Sequence, residues 1–369
     1  MASKKQDEII SEASSHTIKK FDLFDNYVSS WAPKLLNNNK CSKLVFIDCM
    51  CNSGEYVDKQ NGRKVFGTPV RVAKTLASFA KLYPQKDIYL FFNDFNKQKI
   101  EHLSSLITMK IPNLHINLSV KDGNLLLKEL VPQATQRDTS YLVVYDPYEA
   151  SIDWEALYPY INHWGEVIIN HMLYDSTRAV KMAKNDKAVQ KYENTYLADI
   201  NDLLPYGSDK TAYEKRIEYI ISRLRKNAKY YVASFPFFNS KNSLVYDLIH
   251  CTNSSIGFSL YKQVAWKTFG GKSSTMETHG SELQLAIDLD NGNIDIQSND
   301  NCFYISDIAK YLHEKCVGKK NLPISILWDI LKEHPVFPAD GFRKEIKSEL
   351  KKLYGATISK NTISFTSKD

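Results

Sequence analysis

Apolar residues at Ile18, Phe21, Phe24, Val28, Trp31 and Leu35 recur every three or four positions, the stripe of an amphipathic helix that packs on whatever follows it. The pattern then changes. Lys43 to Cys49 is a continuous apolar run that takes in Asp48, and a run hydrophobic on both faces predicts a buried parallel strand. Residues 52 to 67 are polar with Gly and predict a loop. Thr68-Pro69 then opens a helix, an N-cap followed by proline at the first position, with Val72, Leu76, Phe79 and Tyr83 on its buried face. The alternation repeats, with strands at Ile88 to Asn93, His115 to Val120, Tyr141 to Tyr145 and Glu166 to Asn170. One intervening helix carries Ile100, Leu103 and Ile107, and another spans Trp154 to Ile161. Strands that alternate with helices predict a parallel sheet covered on both faces.

Ser176 to Asn227 reads as wholly helical and polar, a lid or an insertion. Tyr230 to Phe235 and Leu244 to Cys251 read as two strands that pair antiparallel at the far end of the sheet. Five β/α units closed by an antiparallel hairpin are the strand recipe of a class I methyltransferase, a Rossmann-like, doubly wound α/β fold. A helix over Ile256 to Phe269 leads into Gly270 to Thr278, rich in Gly, Ser and Thr, and Leu283 to Ile296, broken by Asp290-Asn291-Gly292-Asn293, reads as a hairpin. From Ile305 helical periodicity returns in three segments, and a short hairpin around Ser359 to Asn361 closes the chain. That is the outline of a winged helix-turn-helix. The organisation expected is an N-terminal helical segment over 1–40, a Rossmann-like domain over 41–269 with a helical insertion at 176–227, a linker with a hairpin over 270–300, and a winged-helix domain over 301–369.

At 369 residues, 43% hydrophobic and 24% charged, the chain has the composition of a globular protein, and its 22 Tyr, 17 Phe and 5 Trp are numerous. Tyr tolerates half-exposed sites such as a nucleobase-stacking cleft, although core filling uses the same residues. The net charge is +6, and from Asn301 onward 12 Lys or Arg face 8 Asp or Glu, so +4 of it lies in the last segment. Arg343, Lys344, Lys347 and Lys351 crowd the last helix, where a winged helix would meet nucleic acid; a plain solvated face looks the same. The longest apolar runs fall far short of the ~20 residues that span a bilayer. Met1 to Ser15 is polar with no apolar core, so neither a membrane association nor a secretory signal is expected, and the protein is placed in the cytoplasm. Six cysteines, at 41, 49, 51, 251, 302 and 316, show no CxxC pair; reduced thiols are expected rather than disulfides or a metal site.

Candidate chemistry sits at the strand ends, because a doubly wound sheet binds its ligand outside the carboxyl ends of its strands. Asp48 and Gly54, on the first strand and its turn, are candidates for shaping the aminoacyl site of a cofactor. Asp94 follows the second strand, where an acid can accept both ribose hydroxyls. Asp122 follows the third, where it could face an adenine amine; for either acid alone a helix cap is the more routine duty, and three acids ending three successive strands are less routine. The fourth strand runs into Asp146-Pro147-Tyr148, the candidate catalytic residues: the acid and the proline carbonyl can accept from a target amine while the ring stacks on a base. No HExxH, P-loop or GxSxG pattern occurs, which removes metalloprotease, NTPase and hydrolase readings.

Taken in order, His16-Thr17-x-x-Lys20 ahead of Tyr27 and Trp31, Ile47-Asp48 to Gly54-x-Tyr56, Gly67-Thr68-Pro69, Asn93-Asp94 and Asp146-Pro147-Tyr148 resemble the three-Cys-motif partner proteins (TcmP). The likeness continues through Tyr246 to Cys251, Gly257 and the basic C-terminal helix and wing, and so covers most of residues 16 to 365. It implies a methyltransferase-like domain that uses S-adenosylmethionine, a bacterial or phage setting, and action alongside a separate protein with a three-cysteine, radical-SAM-like motif. The chain departs from the family at Cys49 and Asn52, where Gly is usual, and at Tyr148, where Phe is commoner. The function expected is therefore a methyltransferase-like activity on or with nucleic acid. The alternative is a non-catalytic Rossmann-like adaptor that recruits a partner to nucleic acid.

Overall fold

The structure, a computed structural model, describes residues 9–147, 151–161, 163–172, 186–203, 231–238, 244–276 and 302–365. The expected insertion is described only over 186–203, and Tyr148 and the expected hairpin at Leu283 to Ile296 lie outside the described residues.

Strand β1 (Ser11–Ala13) leads into α1 (Ser15–Leu36), whose first turn is capped by Ser14 accepting from the Thr17 N–H. Next comes β2 (Lys43–Asp48). The polar stretch that predicted a loop contains two strands instead, β3 (Glu55–Asp58) and β4 (Lys64–Phe66), paired antiparallel, with β1 running parallel to β3. Three strands of three or four residues are too short for an alternating pattern to show in sequence. The chain continues through α2 (Thr68–Leu82), β5 (Asp87–Asn93), α3 (Lys97–Leu106), β6 (Leu114–Ser119), α4 (Gly123–Ala134), β7 (Thr139–Tyr145), α5 (Trp154–Ile161) and β8 (Gly165–Met172). Then follow α6 (Asp186–Tyr196), α7 (Ile200–Leu203), β9 (Tyr231–Phe238), β10 (Leu244–Thr252), α8 (Ser255–Thr268) and β11 (Thr275–Met276).

The main sheet has the order β11-β9-β10-β8-β7-β2-β5-β6. Strands β6, β5, β2, β7 and β8 are parallel, and β10 lies antiparallel between β8 and β9. This is the Rossmann-like arrangement expected from the strand pattern, with the order reversing at β2 between β5 and β7, the place where such sheets open a crevice. Along β2 the side chains alternate between two cores. Leu44 and Phe46 pack with α1, α2 and α8, while Val45 and Ile47 pack with α4 and α5. A strand sealed on both faces explains the unbroken apolar run.

The C-terminal segment forms α9 (Ile305–Cys316), α10 (Ser325–Glu333) and α11 (Arg343–Tyr354), with a small sheet of β12 (Leu322–Pro323), β13 (Thr357–Ile358) and β14 (Thr362–Ser364) in the order β12-β14-β13. Ile308, Leu312, Leu331, Ile346 and Leu350 belong to the same buried cluster as Tyr261, Ala265 and Trp266 of α8. Polar contacts lock this junction. The buried Lys262 ammonium donates to the carbonyls of Leu331 at 2.9 Å and His334 at 2.8 Å, satisfying the open C-terminal end of α10, and the Trp266 indole N–H donates to the Val336 carbonyl at 2.9 Å. No described helix is long and apolar enough to cross a membrane. All six cysteines are buried and free.

Candidate functional site

The crevice side of β2 is organised by one amide. Asn93, the fully buried last residue of β5, donates through Nδ2 to the carbonyls of Cys49 and Lys121, both at 2.9 Å. Its Oδ1 accepts from the Ser119 hydroxyl at 2.7 Å and from the Lys121 N–H at 3.2 Å, and its own carbonyl accepts from the Cys51 N–H at 2.8 Å. The turns after β2, β5 and β6 are thereby tied at one point. Asp94 is also fully buried, its carboxylate accepting from the N–H groups of Asn52 at 3.1 Å and Asn96 at 2.9 Å. Within the turn Asn52 and Gly54 both have positive φ, 60° and 76°. A Cβ on Gly54 would stand 2.5 Å from Leu103 Cδ1 and 2.9 Å from Val70 Cγ2, so this glycine lets the turn press against α2 and α3.

Asp122 N-caps α4, with Oδ1 accepting from the N–H groups of Asn124 at 2.9 Å and Leu125 at 3.0 Å. It is exposed, and three large apolar side chains near it are exposed as well: Phe95 at 59%, Val120 at 45% and Leu125 at 57%. The in-register pairing of Asn93 with Ser119 places the segments bearing Phe95 and Val120 side by side at the strand ends.

On the other side of β2 the groups carry charge. Asp146, immediately past β7, receives the Lys20 ammonium of α1 on Oδ2 at 2.6 Å and the Asn170 amide of β8 on Oδ1 at 2.6 Å. Asp48, at the end of β2, is buried. Burial first, then the negative charge of Asp146, push its carboxyl up to about 8; Asp94 adds a little, against the Met50 N–H and Lys20. At neutral pH Asp48 is therefore mostly protonated. Burial, reinforced by Asp146, holds the hydroxyls of Tyr56 and Tyr246 in their protonated form, and the Tyr246 hydroxyl donates to the His16 carbonyl at 2.9 Å. Burial and then Asp48 likewise push the Cys49 and Cys51 thiols well up, which removes them as thiolate nucleophiles.

Asp48, Asp94, Asp146 and the Gly54 turn thus come together at one set of strand ends, with Pro147 buried behind Asp146. Asp122 caps α4 beside the same β2 turn, where its charge, with those of Asp48 and Asp146, is felt at Cys49. Lys20, Asn93 and Asn170 were not singled out from sequence as site residues; Lys20 within His16-Thr17-x-x-Lys20 and Asn93 within Asn93-Asp94 were the signals available. Arg343, Lys344, Lys347 and Lys351 lie on α11. Arg343 pairs with Asp340 at 2.8 Å, its guanidinium is 5.2 Å from the Trp328 ring centre, and Lys347 is 5.8 Å from the same ring, while Lys344 and Lys351 are exposed.

No protein-family profile matches this chain, and no curated protein matches its sequence. Among solved structures it is similar to the O-methyltransferase TomG of Streptomyces achromogenes, involved in tomaymycin synthesis and in complex with S-adenosylmethionine. The identity is 9%, over 62% of this chain and 79% of that one, with a TM-score of 0.32. It is also similar to a loganic acid methyltransferase with S-adenosylhomocysteine, at 10% identity over 70% and 84% of the two chains and a TM-score of 0.26. A third is YjhP of E. coli, at 9% identity over 63% and 98%, with a TM-score of 0.24. Similarity this loose carries no argument, and the likeness to three-Cys-motif partner proteins rests on motif resemblance alone.

Proposed function

We propose that this chain is an S-adenosylmethionine-dependent, methyltransferase-like protein that acts on or with nucleic acid. The observation that carries the reading is the exposed Asp122 beside exposed Phe95, Val120 and Leu125 at the crevice of a Rossmann-like sheet. Apolar surface next to one carboxylate suits adenine: the ring faces lie on the side chains, and the exocyclic amine donates to the Asp122 oxygen that the helix cap leaves over. Asp94 then marks the ribose side, where it holds the turn through Asn52, and Asp48 with the Gly54 turn marks the aminoacyl side. The cofactor, when bound, supplies an electrophilic methyl group. Asp146, Pro147 and Tyr148 are the residues proposed to receive the target amine, and the three-cysteine-motif partner is proposed from the resemblance. The C-terminal helices and small sheet are read as a winged helix, with Arg343, Lys344, Lys347 and Lys351 toward phosphates.

Isothermal titration of the wild-type chain with S-adenosylhomocysteine should give saturable binding that Asp122→Ala weakens. Absence of binding removes the enzyme reading. The second reading, a Rossmann-like adaptor without turnover, has an observation of its own: Lys20 already occupies Asp146, the acid assigned to the target. For the C-terminal helices, four phosphate contacts at about 0.9 each predict that alanine at all four basic positions lowers the slope of log affinity against log salt on duplex DNA by up to about 3.6. An unchanged slope in a fluorescence-anisotropy salt titration moves α11 to protein contact.

A further inference from the structure

The Lys20–Asp146 pair is an internal salt bridge set in an otherwise acidic crevice. Asp146 and Asp94 both act electrostatically on Asp48, and the Lys20 cation pairs with Asp146 and is felt at Asp48. The Lys20 side chain is 11% exposed and that of Asp146 28%, so the pair is shielded but reachable. A cofactor's α-amino-acid end brings a carboxylate here along with its ammonium, and the Asp146 carboxylate repels that carboxylate unless a cation receives it. Lys20 touches Asp146 with its ammonium, and its charge is felt at Asp48, the last residue of β2. Its flexible four-carbon stem can change partners without moving α1. Asn170 would keep Asp146 oriented after such an exchange, because its Nδ2 bond to Oδ1 does not involve Lys20.

We infer that Lys20 is a cofactor-binding residue that exchanges Asp146 for the carboxylate of the cofactor's aminoacyl group, so that cofactor binding uncovers Asp146 for an acceptor amine. This rests on the S-adenosylmethionine reading above. It also reconciles the two roles the crevice must serve: Asp146 is covered when the cofactor is absent and open when it is present, and the acceptor binds second. In the exchange one ion pair is broken and one is formed, with no change in the charge of the crevice beyond that of the ligand.

The test compares two ligands by isothermal titration: S-adenosylhomocysteine, which carries the amino-acid end, and 5′-methylthioadenosine, which lacks it. Wild type should prefer the first. Lys20→Met should weaken S-adenosylhomocysteine at least about tenfold while leaving 5′-methylthioadenosine within about twofold, and Lys20→Arg should restore most of the difference. Asp146→Asn, which releases Lys20 in advance, should tighten S-adenosylhomocysteine, an outcome that a merely structural lysine would not produce. Circular dichroism melts establish that each variant is folded. Wild type that binds neither ligand overturns both this inference and the cofactor reading. Wild-type binding of S-adenosylhomocysteine that Lys20→Met leaves intact, an equal loss for both ligands, or weaker binding in Asp146→Asn overturns the inference alone.

Discussion

On one flank of β2 the turns at 49–54, 93–96 and 119–122 are joined by an uncharged side chain, Asn93, and by backbone N–H groups held on Asp94. On the other flank Asp146 is held by an ammonium from α1 and an amide from β8. The groups that join the first flank, Asn93 and Asp94, are fully buried although Phe95, Val120 and Asp122 on the same turns are exposed; the Lys20–Asp146 pair of the second flank is partly open to solvent. Neutral hydrogen bonds with no water to replace them are costly to break, whereas a partly hydrated ion pair can trade one partner for another at little net cost. The difference separates scaffold from exchangeable chemistry within a single row of strand ends.

Substitutions that reverse this ranking would break the contrast. Gly54→Ala should be the most damaging, because it forces a side chain into a positive φ and into Leu103 and Val70; the expected loss is about 4 kcal/mol, read from urea denaturation midpoints. Asn93→Ala follows at about 3 kcal/mol, since it strips two buried carbonyls of their donor and two donors of their acceptor. Asp48→Asn should have the opposite sign and depend on pH. The unfolded carboxyl ionises near 3.8 and the folded one near 8, so between these values the unfolded chain has released a proton that the folded chain keeps, and wild-type stability falls as pH rises. The variant should match wild type near pH 4 and exceed it by a margin that widens with every pH unit up to about pH 8. Smallest of all, Lys20→Met should cost about 1 kcal/mol or less, because Asp146 retains Asn170 and access to water. A larger loss for Lys20→Met than for Asn93→Ala would show that the charged flank is the scaffold.

The parallel strands were readable because burial on both faces leaves long apolar runs at 43–48, 139–145 and 165–172. The mini-sheet of β1, β3 and β4 was not, since its strands of three or four residues are too short to display a period. The acids at the strand ends were readable as a group but not in their individual duties. A strand-end Asp looks the same whether it holds a turn, as Asp94 does, or caps a helix, as Asp122 does. Lys20 escaped because its partner lies 126 residues away and only the docking of α1 brings them together. Asn93 escaped because one amide serving three turns leaves no spacing to detect.

Helix α8 is a wall common to two rooms. One side packs on β9, β10 and α1, and Lys262 and Trp266 hold the end of α10 on the other. Had the C-terminal helices been acquired as a separate cassette, their seam would fall in the Gly- and Ser-rich stretch after residue 269, yet the buried joint lies earlier, inside α8. The smallest portion that could be exchanged between related chains therefore begins at Ser255. A chain cut after residue 276 would present Trp266 to solvent and strip Lys262 of the carbonyls at the end of α10, and should bind the dye ANS and aggregate at concentrations where the intact protein stays dispersed.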